Sequence, residues 1–461
     1  MASTFKQQFS NLNLHLSKKT LRARGEKLRE ENPYSTLGQF NRLKRDPLKF
    51  IKKSENLLIP ELLDLRNKKM VANPFAFFRG TAELMATDLR KQEHSGIPVI
   101  LCGDAHINNY GFFASAEGQL LFDLNDFDES HIGNFEDDLK RLLVSVDLAG
   151  DLHNFGSSRL LDLMEKVSRA YRKGVKYAYK LSLLKRFYFI SDVRTLFTKF
   201  VSLENSRELL TPVLKKARRN NSERAVKKYT TTNAQGDMRF TDNAPTSVHI
   251  SAKNYRVIED GFKQYRSSVR PDVNAVLAQY KIVDIIRHSV GVGSFGTRCY
   301  LILLVGNDGS HLVLQVKEAL PVHDAFIPKT IDLSLHQQIG EGQRIVASQK
   351  ILQTASDPFL GSFQSEKRAF YIRQYRNMKG SVDISQLDWD NFKIYTQTCG
   401  FLLAMAHFKS PTGPMIRGYL KKGKDFDKNV SDWSMAYSDQ VQSDYDAFKQ
   451  SLSDSGALDD K

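Results

Sequence analysis

Cysteine is scarce in this chain of 461 residues: Cys102, Cys299 and Cys399 lie far apart and form no Cys-x-x-Cys pair. That excludes a disulfide scaffold and a zinc cluster built from neighbouring cysteines. No run approaches the roughly 18 apolar residues that a membrane span needs. The first thirty residues also lack the uninterrupted apolar core of a signal peptide. The expectation is a cytoplasmic protein with no membrane span. No internal repeat is present. What is plentiful is ordinary globular material, 41% hydrophobic and 26% charged, which is too apolar for a disordered chain. The length suits two to three average domains, or one large domain with a long insertion.

Lys plus Arg outnumber Asp plus Glu by 67 to 52, a formal charge of +15. Such an excess suits an anionic partner: a nucleic acid, a phosphorylated molecule or an acidic membrane surface. The basic residues are dispersed, with denser stretches at 18–29 and 215–228, whereas the last thirty residues carry seven Asp and two Lys. A solvated basic face accounts for either cluster. A nucleic-acid-binding protein is therefore a reading from charge alone, unsupported by any recognisable reading module.

Four segments follow from texture. Residues 1–72 read as a polar helical extension broken by Pro33, Pro47 and Pro60, with no evident chemistry. In 73–280, apolar strands and glycine turns first alternate with acids, and a helical pattern follows. The polar, turn-prone stretch 220–245 inside it reads as a loop or lid. Residues 281–382 turn to β. CYLILLV, a turn at Gly306-Asn307-Asp308-Gly309 and HLVLQVKEA make a hairpin, and a helix (341–356) and a strand (370–378) come after it. Residues 383–461 are helical, with Phe392, Tyr395, Cys399, Leu402 and Ala406 at core-facing spacing.

Two constellations carry chemistry. In the first, the strand IPVILC runs into Gly103-Asp104, and Asn109 stands five residues beyond the Asp. A second strand then ends in Asp123, Asp126, Asp128 and Glu129. One carboxylate orienting a hydroxyl, with an Asn and a hairpin Asp holding Mg²⁺ on nucleotide phosphates, is the equipment of phosphoryl transfer. Asp104 is the candidate catalytic residue, with Asn109 and Asp126 or Asp123 as candidate metal ligands. Asp123 lies closer to the usual spacing from Asn109, while Asp126 fits the spacing to Asp138 better. A two-metal phosphoesterase would also use Gly103-Asp104-Ala105-His106 and Gly133-Asn134-Phe135-Glu136. The upstream Asp-x-His is missing, however, and Phe135 stands where a ligand is required.

The second constellation is Gly291-Val292-Gly293-Ser294-Phe295-Gly296. It is followed by a strand and then by Lys317 on the next strand, in Leu314-Gln315-Val316-Lys317. A dinucleotide fold would place a helix after such a loop. A hairpin with a lysine suits a glycine loop over ATP phosphates. Gly291, Gly293, Ser294, Gly296 and Lys317 are thus candidate nucleotide-binding residues. Glu341, heading the next predicted helix, is the candidate ion-pair partner of Lys317, with Glu318 as the other possibility. Arg79 and Arg141, charges inside apolar stretches, are expected to buttress the acidic loop.

These residues resemble the aminoglycoside-phosphotransferase branch of the protein-kinase-like fold. That branch carries His-Gly-Asp-x-x-x-x-Asn, then an Asp closing a hairpin, then an Asp-Leu opening a buried helix. Cys102-Gly103-Asp104, Asn109, Asp126 and Asp138-Leu139 fall into that series, with Cys102 in place of the His. The chain is also similar, over most of its length from about residue 40, to a bacterial family catalogued as domain of unknown function 2252. The matching blocks include NPFAFFRGTAELMATDL, LCGDAHINNYG, VGVGSFGTRCY and GQRIVASQKILQTASDPFLG. The resemblance implies an α+β, two-lobed kinase-like fold. Because the catalytic loop precedes the glycine loop, the implied fold is circularly permuted: 73–280 with 383–461 as one lobe and 281–382 as the other. It implies an ATP- and Mg²⁺-dependent phosphotransferase acting on a hydroxyl of a small molecule or protein. The alternatives are a pseudokinase that binds nucleotide or a partner without turnover, and an enzyme transferring AMP.

Overall fold

A computed structural model describes residues 16–189, 215, 222–232, 236–289, 295–322, 340–365 and 368–457. Helices and strands are mixed, giving an α+β protein. Among the described residues no helix is long and apolar enough to cross a membrane.

The amino-terminal part is helical: α1 (Lys18–Glu31), α2 (Pro47–Glu55), α3 (Leu63–Met70) and α4 (Pro74–Arg79). Each of α1, α2 and α4 begins where a side chain accepts from the first turn: Ser17 from Thr20 N, Asp46 from Leu48 N and Asn73 from Ala76 N. Two antiparallel pairs follow. β1 (Pro98–Leu101) pairs with β4 (His131–Asn134), and between them β2 (Tyr110–Ala114) pairs with β3 (Leu120–Leu124).

These pairs rest on a helical body of α5 (Phe135–Asp151), α6 (Ser157–Lys180) and, near the other end of the chain, α10 (Trp389–His407), α11 (Gly413–Tyr419) and α12 (Lys424–Asp454). Phe392, Tyr395, Cys399, Leu402 and Ala406 of α10 are all buried against it, as their helical spacing leads one to expect. α1 packs closely on α11: a side chain at Gly25 would come within 1.9 Å of the Met415 carbonyl oxygen.

A six-stranded antiparallel sheet forms the other half, in the order β11-β12-β10-β9-β8-β7. Its strands are β7 (Ser247–His249), β8 (Tyr280–His288), β9 (Cys299–Gly306), β10 (His311–Ala319), β11 (Gly361–Ser365) and β12 (Arg368–Gln374). The β9–β10 hairpin turns over Gly306–Gly309, where Gly309 has φ +81°. One face packs on α8 (Ala252–Ser268) through Ile258, Phe262 and Tyr265, and Ala225 and Val226 of α7 (Ser222–Tyr229) cover part of the other. Within the stretch expected to be a loop or lid, described residues form α7 and the antiparallel pair β5 (Thr230–Thr232) and β6 (Met238–Phe240). Threonines suit strands, and the short apolar pair Ala225-Val226 suffices to seat one helical turn on the sheet. α9 (Glu341–Leu352) stands between the sheet and the helical body.

Candidate active site

The chain leaves β1 through Cys102 and Gly103. Gly103 has φ +83°, and a Cβ there would sit 2.0 Å from the Glu129 carbonyl oxygen. The two acidic loops meet because position 103 carries no side chain. Asp138 of α5 fixes this turn from within. It accepts from Cys102 N (2.9 Å), Gly103 N (3.1 Å) and Cys102 Sγ (3.3 Å), and His407 Nε2 at the end of α10 lies 3.1 Å away. Burial alone would push the Asp138 carboxyl up, but the bonds from His407 and Cys102 outweigh it and hold the group below its ordinary range. An imidazole borrowed from a distant helix thus joins the turn whose own sequence carries Cys102.

Asp104 extends from this turn with its side chain 13% exposed, and its Oδ1 accepts from Arg141 Nε at 2.7 Å. Arg141 is itself held by the Phe78 carbonyl at 2.8 Å and by the Phe78 ring. Asp104 Oδ2 faces His106 Nε2 at 3.5 Å. Burial pushes the His106 pKa down to about 4, so the ring is neutral at pH 7. Asn109 Nδ2 donates to the Asp104 carbonyl oxygen at 2.6 Å, which ties the ends of the loop together.

Lys317 enters from the sheet, 2% exposed. Its ammonium contacts Asp128 and lies 3.9 Å from Asp126 Oδ1. Tyr371, directly opposite Lys317 in the β10–β12 register, donates its hydroxyl to Asp128 Oδ1 at 2.8 Å. Strand pairing therefore aims two adjacent donors at one carboxylate. Burial opposes charge on Lys317, yet Asp126 and Asp128 outweigh it and raise the ammonium well above the ordinary lysine range. Asp126 is held low in turn: Lys317, Arg373 and Lys379 together overcome its desolvation. Arg344 of α9 closes the junction by donating to the carbonyls of Asp128 (2.9 Å) and Leu320 (3.1 Å).

Asp104, Asp126, Asp128 and Glu129 line a cavity of about 140 Å³ together with Arg66 and Arg79. Burial, with Asp128 and Asp104 nearby, pushes Glu129 up to about 8, so it is protonated at neutral pH and can donate a hydrogen bond. The amino-terminal helices form much of the wall, and they also hold the end of the glycine-rich stretch. Ile59 N donates to the Gly296 carbonyl at 2.8 Å, and the Phe295 ring is buried among Ile59, Leu62 and Leu65 under the Lys69 ammonium. Gly296 has φ +102° and passes 3.1 Å from Leu58, measured from where its Cβ would be.

Of the residues singled out by sequence, Asp104, Asp126 and Lys317 come together, and Asn109 joins through its bond to Asp104. Asp123 lies outside the cavity: it is buried and accepts from Leu124 N (2.9 Å) and Thr354 N (3.1 Å), which fastens β3 to the end of α9. Glu341 pairs with Arg344 at 2.6 Å and Glu318 with Arg298 at 3.1 Å, so the partner of Lys317 is Asp128 instead of either. Gly291, Gly293 and Ser294 lie outside the described residues. Arg141 does buttress Asp104, whereas Arg79 makes no such bond, its Nε being buried without a partner. Asp128 stood among the acids that end the second strand but was given no role, and Tyr371, Arg344 and the wall from residues 50–66 were not singled out by the sequence. A charged Arg66 amid the leucines of 57–65 was the one available signal.

One oxygen here could serve a divalent cation. Asp126 Oδ1 is buried and accepts no hydrogen bond, which suits a hard cation seeking oxygen. Among the described residues no cluster of three or more His, Cys, Asp or Glu forms a metal cage. A Mg²⁺ bound by one or two side chains and by phosphates requires none.

The fold and cavity define an α+β protein whose buried lysine, on a sheet, meets an acidic loop presented by a helical body. Residues 58–451 match the family described as "Uncharacterized protein conserved in bacteria (DUF2252)", and the chain belongs to that family. No curated protein and no solved structure matches it.

Proposed function

We propose that the protein is a kinase-like phosphotransferase that moves the γ-phosphoryl group of ATP to a hydroxyl, on a circularly permuted two-lobed fold. The observation that carries the reading is the meeting of Lys317 with Asp126 and Asp128 beside Asp104, from strands far apart in sequence. Lys317 holds the α/β-phosphates, releasing part of its hold on Asp126. Asp126 and Asn109 would hold Mg²⁺, which when bound supplies charge neutralisation along the phosphates. Asp104, fixed through Oδ1 by Arg141, turns its other oxygen to the acceptor hydroxyl and takes its proton. The acceptor oxygen bonds to the γ-phosphorus as the bond to the β-phosphate oxygen breaks, and ADP leaves.

The test is a thermal titration with Mg²⁺ and ATP on wild type, Asp126→Ala and Lys317→Ala, followed by a phosphoryl-transfer assay. At a hundredfold excess over Kd a ligand stabilises the fold by about 2.7 kcal/mol, and both variants should lose that shift. No shift at millimolar ATP with Mg²⁺ or Mn²⁺ overturns the reading. A shift with no turnover on any acceptor or on water would mark a nucleotide-binding protein without transfer.

A further inference from the structure

Arg66 and Arg79 line the same cavity as the acids, and each keeps buried N–H groups without a hydrogen-bond partner. Arg66 has a side chain 5% exposed. One NH2 group donates to the Gly80 carbonyl at 2.9 Å, the nearest carboxylate (Glu55) is 3.8 Å away, and Nε and Nη1 have no hydrogen-bond partner. Arg79 lies over the Phe75 ring with its Nε likewise buried and unpartnered. The contrast with Arg141 is instructive, because that guanidinium is fully employed between Asp104 and the Phe78 carbonyl. A buried guanidinium whose N–H donors go unanswered is costly, and an oxyanion is the kind of group that would answer them. Burial draws both Arg66 and Arg79 below the ordinary arginine range, with Asp104 pulling Arg79 back and Arg141 pushing it further. Arg79 therefore sits within electrostatic reach of the acidic loop.

We propose that Arg66 and Arg79 form an oxyanion subsite for the acceptor, which is then a hydroxyl compound carrying a phosphate monoester or a carboxylate. The planar fork of a guanidinium suits either group. The word acceptor rests on the phosphotransfer reading, but the oxyanion site stands on its own geometry. It places a negative group in the cavity that Asp104 also lines. A cationic acceptor would face two arginine charges there.

The experiment is a titration of the nucleotide-free protein with inorganic phosphate, and separately with acetate, read by calorimetry and thermal shift. Wild type, Arg66→Met, Arg79→Met and Lys317→Met are compared. Wild type and Lys317→Met should bind the anion alike, which separates this site from any phosphate site at the lysine. Each arginine variant should bind about tenfold more weakly or worse, the loss of one charge-assisted hydrogen bond, while its Tm without ligand stays level or rises. A stronger response to phosphate than to acetate assigns the phosphate monoester, and the reverse assigns the carboxylate. The proposal is overturned if wild type binds neither anion, if the arginine variants bind like wild type, or if only Lys317→Met loses binding. Should a methionine variant fail to fold, the corresponding Arg→Gln variant replaces it. Failure of ATP to bind would leave the anion result intact, so the two readings fail separately.

Discussion

The helical body and the sheet hold their charges by opposite means. In the helical half two key carboxylates are answered at home: Asp104 by Arg141, and Asp138 by His407 and two backbone amides. On the sheet, Lys317 has Tyr371 and Cys299 as its cross-strand neighbours, and its carboxylates come from the acidic loop of the other half. Those two carboxylates are paired within one half, while the other half carries a charge completed only when the two halves meet. A site assembled this way can yield its lysine to a nucleotide without disturbing the loop that carries Asp104.

The sharpest way to break this contrast is Asp138→Ala. It strips a buried acceptor from His407 and from the amides of Cys102 and Gly103, and urea denaturation should show a loss of about 3–5 kcal/mol. Lys317→Met should cost less, about 1–2 kcal/mol at pH 7, because Asp126 and Asp128 are 36% and 23% exposed and water screens them. Its pH dependence follows from the shifts. Asp126 is held low, so its contribution is present above the ordinary Asp range and is lost as pH falls through the folded value. Lys317 is held high, so its contribution is present below the ordinary lysine range and is lost as pH rises through the folded value. Stability curves of wild type and variant should differ most between about pH 5 and 9 and converge in acid.

The smallest effect tests an ill-matched charge of the helical body. Burial pushes Asp147 of α5 up to about 6. Its carboxyl is thus neutral in the fold below that pH, and stability is lost as pH climbs from the ordinary Asp value through 6. Asp147→Asn should be more stable than wild type by about 1 kcal/mol at pH 8 and equal to it below about pH 4. Equal curves at both ends would show that water reaches the group.

The same contrast explains what was legible beforehand. The β9–β10 hairpin and the α10 stripe are written in local periodicity, alternate apolar residues around a Gly-Asn-Asp-Gly turn and a 3.6-residue spacing. The acidic loop, whose residues lie close together in sequence, was legible for a related reason: Asp104 and Asn109 are bound to each other by a short contact. The partner of Lys317 was not. Which of several carboxylates meets a lysine from the far half depends on how β10 docks and on Tyr371 beside it, and spacing along the chain does not record either. Asp123 and Asp126 differ for the same reason. One ends beneath Thr354 and the other beside Lys317, through packing of α9 that no local pattern announces.

Arg45 draws out a last consequence. It forms ion pairs with Asp88 at the helix Ala82–Leu89 and with Asp444 of α12, all three nearly enclosed. The family match spans residues 58–451, which takes in Asp88 and Asp444 but not Arg45. The border of likeness and the border of foldedness therefore do not coincide, and a gene fragment trimmed to the recognisable part would inherit two enclosed carboxylates and leave their counterion behind.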